Sequence, residues 1–358
     1  MTRTFTLLSL LVMTTTSALA QDDWTVEDFI AATGVSPGAT ASRDLPGWTA
    51  NPTIRVLSGA DDLRALEKAF PEARFVGGDA SDAEVIIGSC PAGLIRESDK
   101  LVWVQIFSAG AERCLAVDEL ASGEVLLTNG QKMTAHAIGE HAVAMALSLA
   151  RGLVRHAHLM PDGKWDRNWA RSGGIYSVNG KTMLIVGLGG IGSETAKRAK
   201  ALGMRVIATR NSSREGPDYV DYIGLSNELD DLVAEADIIV NSLPLTKATR
   251  GLFDSDLFAK VKPGAYFINV GRGGTVITDA LVEALESGHL AGAGLDVTDP
   301  EPLPGDHPLW QMNNVIITPH VSWAGHDIRL RRILVHENIR RYLAGEALLN
   351  VVDPELGY

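Results

Sequence analysis

TMLIVGLGGIG, at residues 182–192, is the stretch that decides the fold of this chain. Its first five residues are apolar and long enough for one buried parallel strand. The glycine motif G-x-G-x-x-G follows at once, residues 193–202 predict a helix, and residues 204–209 predict a second apolar strand. A glycine turn alone suits any tight bend, but a strand, this motif, a helix and a strand in that order indicate a dinucleotide-binding domain.

The glycines of the motif have different physical tasks. Gly187 permits the tight turn, Gly189 lets the backbone approach a pyrophosphate, and Gly192 allows helix and strand to pack closely. The helix N-terminus offers free N–H groups and the positive end of its dipole to the anion. The cofactor-binding residues predicted from this turn are Gly187, Gly189, Gly190, Ile191 and Gly192.

The end of the second strand indicates which nucleotide binds. An acidic residue usually stands about 20 residues past the motif and accepts hydrogen bonds from the adenosine ribose. This chain has Arg210 there, followed by Asn211 and Ser212. A guanidinium cannot accept a hydrogen bond from a hydroxyl, but it pairs with a 2′-phosphate. We therefore predict NADP as the cofactor, with NAD possible, and Arg210 and Ser212 as its contacts. The alternative is a solvated loop arginine with mixed cofactor use.

Composition sets the limits on size and partners. The 358 residues, 46% of them hydrophobic, are enough for two domains. The formal net charge of −12 argues against nucleic acid or an anionic membrane surface as a partner, but it does not exclude a small anionic substrate held by a local arginine. A metal site is not predicted. Four histidines lie between residues 136 and 158, but the ligand spacing of zinc sites is absent around them: His136, His141, His156 and His158.

The first twenty residues have the pattern of a signal peptide. Arg3 is followed by the short apolar run 5–13 and by Ala-Leu-Ala at 18–20, a small-residue cleavage site. This run is too short to span a bilayer. We expect an exported protein, the alternative being a cytoplasmic chain with an apolar tail. In an oxidising compartment Cys90 and Cys114 could pair, but their spacing alone decides nothing, and two free thiols are the favoured interpretation.

The first half of the chain predicts a small parallel α/β sheet. Residues 21–51 are polar and rich in turn residues, which predicts a surface extension. Strands then alternate with helical stretches, at 54–57, 74–76, 85–87, 102–107 and 125–128, with a helix at 61–70. The turn Ser108–Ala111 directly follows a strand, where backbone N–H groups of Ala109 and Gly110 could hold a substrate carboxylate. An ordinary strand-to-helix turn explains it equally well.

Residues 135–156 predict one long apolar helix, either a buried linker between domains or a subunit interface.

The alternation of strands and helices continues beyond the glycine motif, with helices at 229–236 and 279–286 and strands at 237–241, 265–270, 291–297 and 315–318. Residues 328–344 carry five arginines among interleaved leucines and isoleucines. This pattern indicates an amphipathic core helix rather than a basic patch.

Three polar residues stand at the carboxyl ends of successive strands of the second half: Arg272, Glu301 and His320. Hydride transfer at a carbon that bears an oxygen requires a proton to be delivered to, or taken from, that oxygen. A histidine suits this near neutral pH, and a carboxylate beside it fixes the tautomer. An arginine binds a substrate carboxylate. Each residue alone has a structural explanation; together with a nucleotide motif they predict a catalytic site.

These pieces resemble the D-isomer-specific 2-hydroxyacid dehydrogenases. The matching segments are GLGGIG at 187–192, NVGRGG at 269–274, GLDVTDPEPLP at 294–304 and TPHVS at 318–322. The resemblance implies His320 as the acid/base, Glu301 as its partner and Arg272 as the carboxylate anchor. It also places Asp296 at the nicotinamide carboxamide and Ala109-Gly110 at the substrate. Arg210 is similar to its counterpart in the NADP-preferring glyoxylate/hydroxypyruvate reductases of this family.

The resemblance also implies the architecture, an α/β fold with two doubly wound parallel-sheet domains. A Rossmann dinucleotide-binding domain (134–322) would be inserted into a flavodoxin-like substrate domain (22–133 and 323–358). A homodimer joined through the nucleotide domain is expected, as is the reduction of a small 2-oxo acid to a D-2-hydroxy acid. Trp323 could select substrates by size. The rival functions are a non-catalytic nucleotide-binding module and a dehydrogenase of another small acid, such as formate or a phosphonate-type substrate.

Overall fold

The computed structural model describes residues 24–57, 60–78, 81–169, 174–211 and 213–358, without the side chains of residues 60–62. The predicted signal peptide and the predicted cofactor contact Ser212 lie outside the described residues. In chain order the elements of the first half are α1 (Val26–Thr33), β1 (Pro37–Ala41), β2 (Thr53–Val56), α2 (Ala60–Ala69), β3 (Arg74–Val76), β4 (Val85–Gly88), α3 (Ala92–Glu97), β5 (Trp103–Ile106), α4 (Asp118–Ala121), β6 (Leu126–Thr128), α5 (Ala135–Ala150) and α6 (Leu153–Leu159).

The second half continues the alternation of strands and helices. Its elements are β7 (Thr182–Val186), α7 (Gly190–Ala201), β8 (Arg205–Arg210), β9 (Tyr222–Leu225), α8 (Leu229–Glu235), β10 (Ile238–Asn241), α9 (Ser255–Lys260), β11 (Ala265–Asn269), α10 (Thr278–Glu286), β12 (Leu290–Leu295), β13 (Val315–Ile317), α11 (Ile328–Leu343) and β14 (Ala347–Leu349). Of these elements, the short strands β9 and β14 and the short helix α9 have no counterpart among the predictions from the sequence.

The second half forms a parallel sheet in the order β13-β12-β11-β10-β7-β8-β9. Relative to its first strand, β7, the order reverses between β7 and β10, which is the switch point of a doubly wound sheet. Apolar clusters cover both faces of the sheet, which explains why its strands are continuous apolar runs rather than alternating ones. The glycine turn after β7 therefore opens at the edge where such sheets bind ligands.

The first half forms a smaller parallel sheet in the order β3-β2-β4-β5-β6, the flavodoxin-like order. It is covered on one face by α11, whose Val335, Ile339 and Tyr342 are buried in its core. Helix α11 is thus a core helix, as its amphipathic pattern predicts, and it returns the end of the chain to the first domain. The predicted fold class, two doubly wound α/β domains, is confirmed.

The segment before the first sheet is mostly exposed, as predicted for a surface extension, but it is also folded and anchored to the rest of the chain. Helix α1 has a capping box between Thr25 and Asp28 and buries Phe29 completely. Phe29 packs in a small cluster with Met133, Leu330, Leu334 and other residues. Strand β1 pairs antiparallel with β14 at the other end of the described chain. Long-range contacts, which the local composition does not reveal, hold this segment in place.

The predicted helix at 135–156 is two helices. Gly152 adopts a left-handed conformation (φ +65°), and α5 and α6 meet there at an angle of 65°. Helix α5 is an interior helix, with Ala142, Met145 and Ala146 buried, whereas α6 has no buried residue. Among the described residues no single helix is long and apolar enough to cross a membrane; only the bent pair α5 and α6 passes such a test, by length and composition.

Cys90 and Cys114 form a disulfide, with their Cα atoms 5.5 Å apart, so the favoured interpretation of two free thiols is wrong. The bond joins the loop after β4 to the segment that follows the Ser108–Ala111 turn. Neighbouring parallel strands β4 and β5 bring the two cysteines together. Sequence spacing could not reveal this, because proximity comes from strand pairing across an intervening helix.

Candidate active site

The three predicted catalytic residues follow three adjacent strands. Arg272 comes after β11, Glu301 after β12 and His320 after β13, and these strands are neighbours in the sheet. Adjacent parallel strands lie about 4.8 Å apart and end at the same edge. The sheet therefore delivers a guanidinium, a carboxylate and an imidazole to one edge, next to the switch point.

His320 and Glu301 form a close pair. Nδ1 of His320 lies 2.6 Å from Oε1 of Glu301, and both side chains are just over two-fifths exposed (42% and 43%). In the described part of the chain Nε2 of His320 has no hydrogen-bond partner. The carboxylate favours the tautomer with the proton on Nδ1, in which Nε2 has a free lone pair.

The turn that carries His320 is built on Asp296. His320 has a left-handed backbone (φ 53°), which costs a non-glycine residue about 1–2 kcal/mol. Its N–H donates to the carbonyl of Asp296 (2.8 Å), and the Asp296 carboxylate accepts from the hydroxyl of Thr318 (2.6 Å) and the N–H groups of Val321 (2.9 Å) and Ser322 (3.1 Å). These bonds hold the turn in its strained shape.

The ionised form of Asp296 is the stable one in this setting. Burial acts to raise the pKa of Asp296, but the hydrogen bonds from Ser322, Thr318 and Val321 outweigh it, and the net pKa is lowered. Nε2 of His141 lies 2.9 Å from the Thr318 hydroxyl, so a helix α5 side chain supports the same network. Whether Asp296 contacts a nicotinamide carboxamide, as the resemblance implies, stays a prediction.

Arg272 is held by a buried amide network at the end of β11. Its carbonyl accepts from the Asn269 amide (3.2 Å) and the Thr275 hydroxyl (2.7 Å), and the Asn241 amide donates to Thr275 (2.7 Å). The guanidinium donates through Nη1 to the Gly271 carbonyl (2.8 Å). Both the backbone and the side chain of Arg272 are thus oriented by the protein.

Arg272 also meets the other domain. Its Nε donates to Oε1 of Glu112 (2.9 Å), 160 residues earlier in the chain. A Cβ atom added to Gly110 would lie 2.0 Å from Nη2 of Arg272, so the predicted substrate-binding turn lies directly against the guanidinium. The structure therefore brings Ala109-Gly110 and Arg272 together, and a side chain at position 110 would displace the guanidinium from this position.

The glycine turn fits a dinucleotide phosphate. Gly187 has a positive φ (96°), and a Cβ on Gly192 would lie 2.2 Å from the Gly187 carbonyl oxygen. Helix α7 begins at Gly190, and its N-cap residue Gly189 provides no side-chain cap, so the first N–H groups stay open to an anion. The predicted residues Gly187, Gly189, Gly190, Ile191 and Gly192 all belong to this turn.

Arg210 ends β8, the strand beside this turn. Its Nη1 donates to the Glu215 carbonyl (2.6 Å), and no carboxylate among the described residues pairs with it. Arg214 is directed elsewhere, to Glu228 (2.7 Å). Hydrogen bonds from Tyr222, the Leu225 N–H and Arg214 lower the pKa of Glu228 to about 2, so this ion pair persists at neutral pH. Of the two arginines, Arg210 is the one available to an anionic ligand.

Sequence reasoning missed several residues at this edge. Glu112 directly follows the predicted turn Ser108–Ala111, but only folding places it on Arg272. Lys132 lies on the glycine turn, and His141 reaches the Asp296 network from α5. Among the described residues no group of three His, Cys, Asp or Glu side chains has the arrangement of a metal site.

The model of the D-isomer-specific 2-hydroxyacid dehydrogenase NAD-binding domain matches residues 143–322. Glyoxylate/hydroxypyruvate reductase B from Shigella boydii is 34% identical over 281 residues, which are 77% of this chain and 86% of that protein. A hydroxypyruvate reductase from Blautia hydrogenotrophica is 37% identical over 225 residues, 60% of this chain and 67% of that protein.

Solved structures show the same likeness. A D-isomer-specific 2-hydroxyacid dehydrogenase from Xanthobacter autotrophicus Py2, in complex with NADPH and MES, has a TM-score of 0.75 and 30% identity, covering 86% of this chain and all of that one. An NADPH-dependent glyoxylate/hydroxypyruvate reductase from Sinorhizobium meliloti, in complex with NADP and sulfate, has a TM-score of 0.75 and 28% identity over the same shares.

Proposed function

We propose that this protein reduces a small 2-oxo acid with NADPH. The chain belongs to the D-isomer-specific 2-hydroxyacid dehydrogenases and is therefore an NAD(P)-dependent 2-hydroxyacid oxidoreductase. The product is a D-2-hydroxy acid. The observation that carries the proposal is the 2.6 Å contact between His320 and Glu301 at the sheet edge where Arg272 also emerges.

The residues divide the chemistry among them. Bound NADPH supplies the hydride to the 2-carbon. Arg272 binds the substrate carboxylate beside the backbone of Ala109-Gly110 and polarises the 2-oxo group. Protonated His320 donates from Nε2 to the oxygen as it becomes a hydroxyl, and Glu301 stabilises the imidazolium before that transfer. In the oxidative direction the neutral imidazole accepts the same proton.

The preference for NADPH rests on Arg210. Two of the similar structures hold NADPH or NADP, and Arg210 is a guanidinium without a carboxylate partner among the described residues. A 2′-phosphate supplies that partner, whereas the ribose hydroxyl of NAD does not. Ser212, two residues on, is proposed as a second contact to the same phosphate.

A substrate panel tests the proposal. Purified mature protein is incubated with glyoxylate, hydroxypyruvate, pyruvate and bulkier 2-oxo acids, each with NADPH and with NADH, and the loss of reduced cofactor is followed by absorbance. We expect turnover with at least one acid, a D-configured product by chiral chromatography, and faster reaction with NADPH. Absence of turnover with every acid, at enzyme concentrations that bind NADPH, would refute an oxidoreductase of this class.

We also propose that the protein is exported after cleavage near Ala20. The disulfide between Cys90 and Cys114 supports this, because such bonds persist in oxidising compartments. Fractionation of the source cells, with N-terminal sequencing of the recovered protein, tests it. A protein that starts at Met1 in the cytoplasmic fraction would contradict export.

A homodimer joined through the nucleotide domain is the proposed assembly. The surface around α6 exposes large apolar side chains: Leu153 (57%), Met160 (75%) and Trp165 (90%). Large exposed apolar side chains that form a contiguous patch mark interaction surfaces, and these three lie within 13 residues of the chain. Light scattering should report a dimer for the wild type, and Leu153→Ser with Trp165→Ser should shift it toward monomer; a monomeric wild type would contradict the assembly.

A further inference from the structure

Lys132 lies in the loop between β6 and α5, where the chain passes from the first domain to the second. Its backbone has a left-handed conformation (φ 75°) that glycine or asparagine adopts at lower cost. Met133, the next residue, is buried in the cluster around Phe29. The loop is thus anchored, and the lysine side chain leaves it in a defined direction.

The side chain of Lys132 covers the first residue of the cofactor helix. A Cβ atom added to Gly190 would lie 3.0 Å from Cγ of Lys132 and 3.6 Å from its Cα. The lysine stem therefore fills the space that a side chain at residue 190 would take. Gly190 is the first residue of α7, whose N–H groups stay uncapped by side chains. A lysine from the loop before α5 thus lies at the glycine turn.

The ammonium group is held by a backbone carbonyl rather than by a carboxylate. Nζ of Lys132 donates to the carbonyl of Gly34, the left-handed residue that ends α1. Burial and the positive charge of Arg210 both lower the pKa of Lys132. In the described part of the chain neither Lys132 nor Arg210 has a carboxylate partner. Of the two cations, Lys132 is the one whose stem lies against Gly190 at the open N-terminus of α7, a position that favours an anion.

We propose that Lys132 binds the pyrophosphate of the dinucleotide, together with the N-terminus of α7. This inference rests on the proposed function. It adds one contact to the cofactor, from a lysine in the loop between the domains, and that lysine is itself held by the N-terminal segment through Gly34. An ammonium has three donors; one is given to Gly34, and two remain for phosphate oxygens. Cofactor binding then ties the segment around Gly34, the interdomain loop and the glycine turn together.

The pyrophosphate is common to both cofactors, and this separates Lys132 from Arg210. Loss of the Lys132 charge should weaken NADPH and NADH binding by the same factor, whereas loss of the Arg210 charge should weaken NADPH alone. The test is isothermal titration of the mature protein with each cofactor, for wild type, Lys132→Met, Lys132→Arg and Lys260→Met. Lys260 is a control, since it pairs with Asp230 on the surface.

For Lys132→Met we expect Kd to rise about tenfold for both cofactors, since a charge-assisted hydrogen bond is lost while the stem remains. Lys132→Arg should restore most of the binding, and Lys260→Met should leave it unchanged. A wild-type Kd for both cofactors in Lys132→Met, or a loss confined to NADPH, would overturn the pyrophosphate assignment. Wild type that binds neither cofactor would instead refute the proposed function.

Thermal unfolding of each variant shows whether the fold is intact. If Lys132→Met does not fold, Lys132→Gln provides the second neutral variant. A purely structural role for Lys132 would lower the melting temperature and leave the salt dependence of Kd as in wild type. A phosphate contact removes one charge from the interaction, so the Kd of the folded variant should respond less steeply to salt.

Discussion

The two ends of the candidate active site compensate their charges differently. At the catalytic end (Arg272, Glu301 and His320) each charged group has a protein partner, His320 on Glu301 and Arg272 on Glu112. At the phosphate end (Gly190, Lys132 and Arg210) the two cations are held by the backbone carbonyls of Gly34 and Glu215. The first arrangement fixes orientation, and the second keeps charge available.

This difference is consistent with the function proposed for each end. Proton transfer and carboxylate binding depend on geometry, so partners that hold the imidazole and the guanidinium in place favour reaction. A phosphate brings its own negative charge, and a built-in carboxylate would compete with it. Removing a charge at the catalytic end should therefore change turnover, whereas removing one at the phosphate end should change cofactor affinity.

The largest expected effect is at His320. His320→Ala should lower kcat by about 10³-fold, because the proton donor is lost, while Kd for NADPH stays within about twofold. Stopped-flow turnover and titration calorimetry measure the two quantities. His326→Ala is the matched control, because His326 lies in the same loop and contacts the Trp323 carbonyl (3.0 Å). Turnover of His320→Ala near the wild-type rate would break the assignment of the catalytic end.

Arg210 gives the next largest effect, at the phosphate end. Arg210→Asp should reduce the ratio of kcat/KM for NADPH over NADH by about 100-fold, since an attractive charge becomes a repulsive one. Turnover at saturating NADH should stay near wild type. Arg214→Gln serves as the control, because Arg214 pairs with Glu228. An unchanged ratio of kcat/KM for NADPH over NADH in Arg210→Asp would show that Arg210 does not bind the 2′-phosphate.

At the catalytic end, the contribution of Asp296 to stability should depend on pH. Asp296→Asn should cost about 2 kcal/mol of unfolding free energy at neutral pH, because charged hydrogen bonds to the His320 turn become neutral. The pKa of Asp296 is lowered in the fold from its usual 3.8, so its contribution is complete above about pH 4 and disappears as the pH falls through the folded pKa.

Denaturant titrations at pH 7 and at successively lower pH values measure that contribution. The stability difference between wild type and Asp296→Asn should narrow as the carboxylate is protonated. Asp306→Asn, in an exposed loop, is the control for general charge effects. A difference that stays constant down to acid pH would mean that ionised Asp296 does not stabilise the turn.

The smallest effect is expected at Glu112. Glu112→Ala should raise KM for the 2-oxo acid by about tenfold, because the guanidinium loses the ion pair that orients it, with a smaller change in kcat. Steady-state kinetics measure both. Glu119→Ala removes an acid of the same domain that pairs with Arg96 and should leave KM unchanged. A lower KM in Glu112→Ala would mean that Glu112 competes with the substrate carboxylate rather than positioning Arg272.

The fold was predictable because its signals are local. The apolar run at 182–186 and the glycine motif mark a strand and a turn, and residues just after strands fall on one sheet edge, which is how Arg272, Glu301 and His320 could be named. The features that the sequence did not predict have non-local causes. Burial of Phe29 depends on α11, and the Cys90–Cys114 bond depends on the pairing of β4 with β5.

The cofactor turn, the class of fold and the candidate acid/base were thus determined by the sequence itself, since periodicity and residue spacing act over a few neighbouring residues. Tertiary structure alone decided which charges meet. Glu112 reaches Arg272 across 160 residues, and Lys132 covers Gly190 from another domain, because ion pairs and close packing depend on distances in space. Chain separation carries no information about those distances until the sheets, helices and loops are assembled.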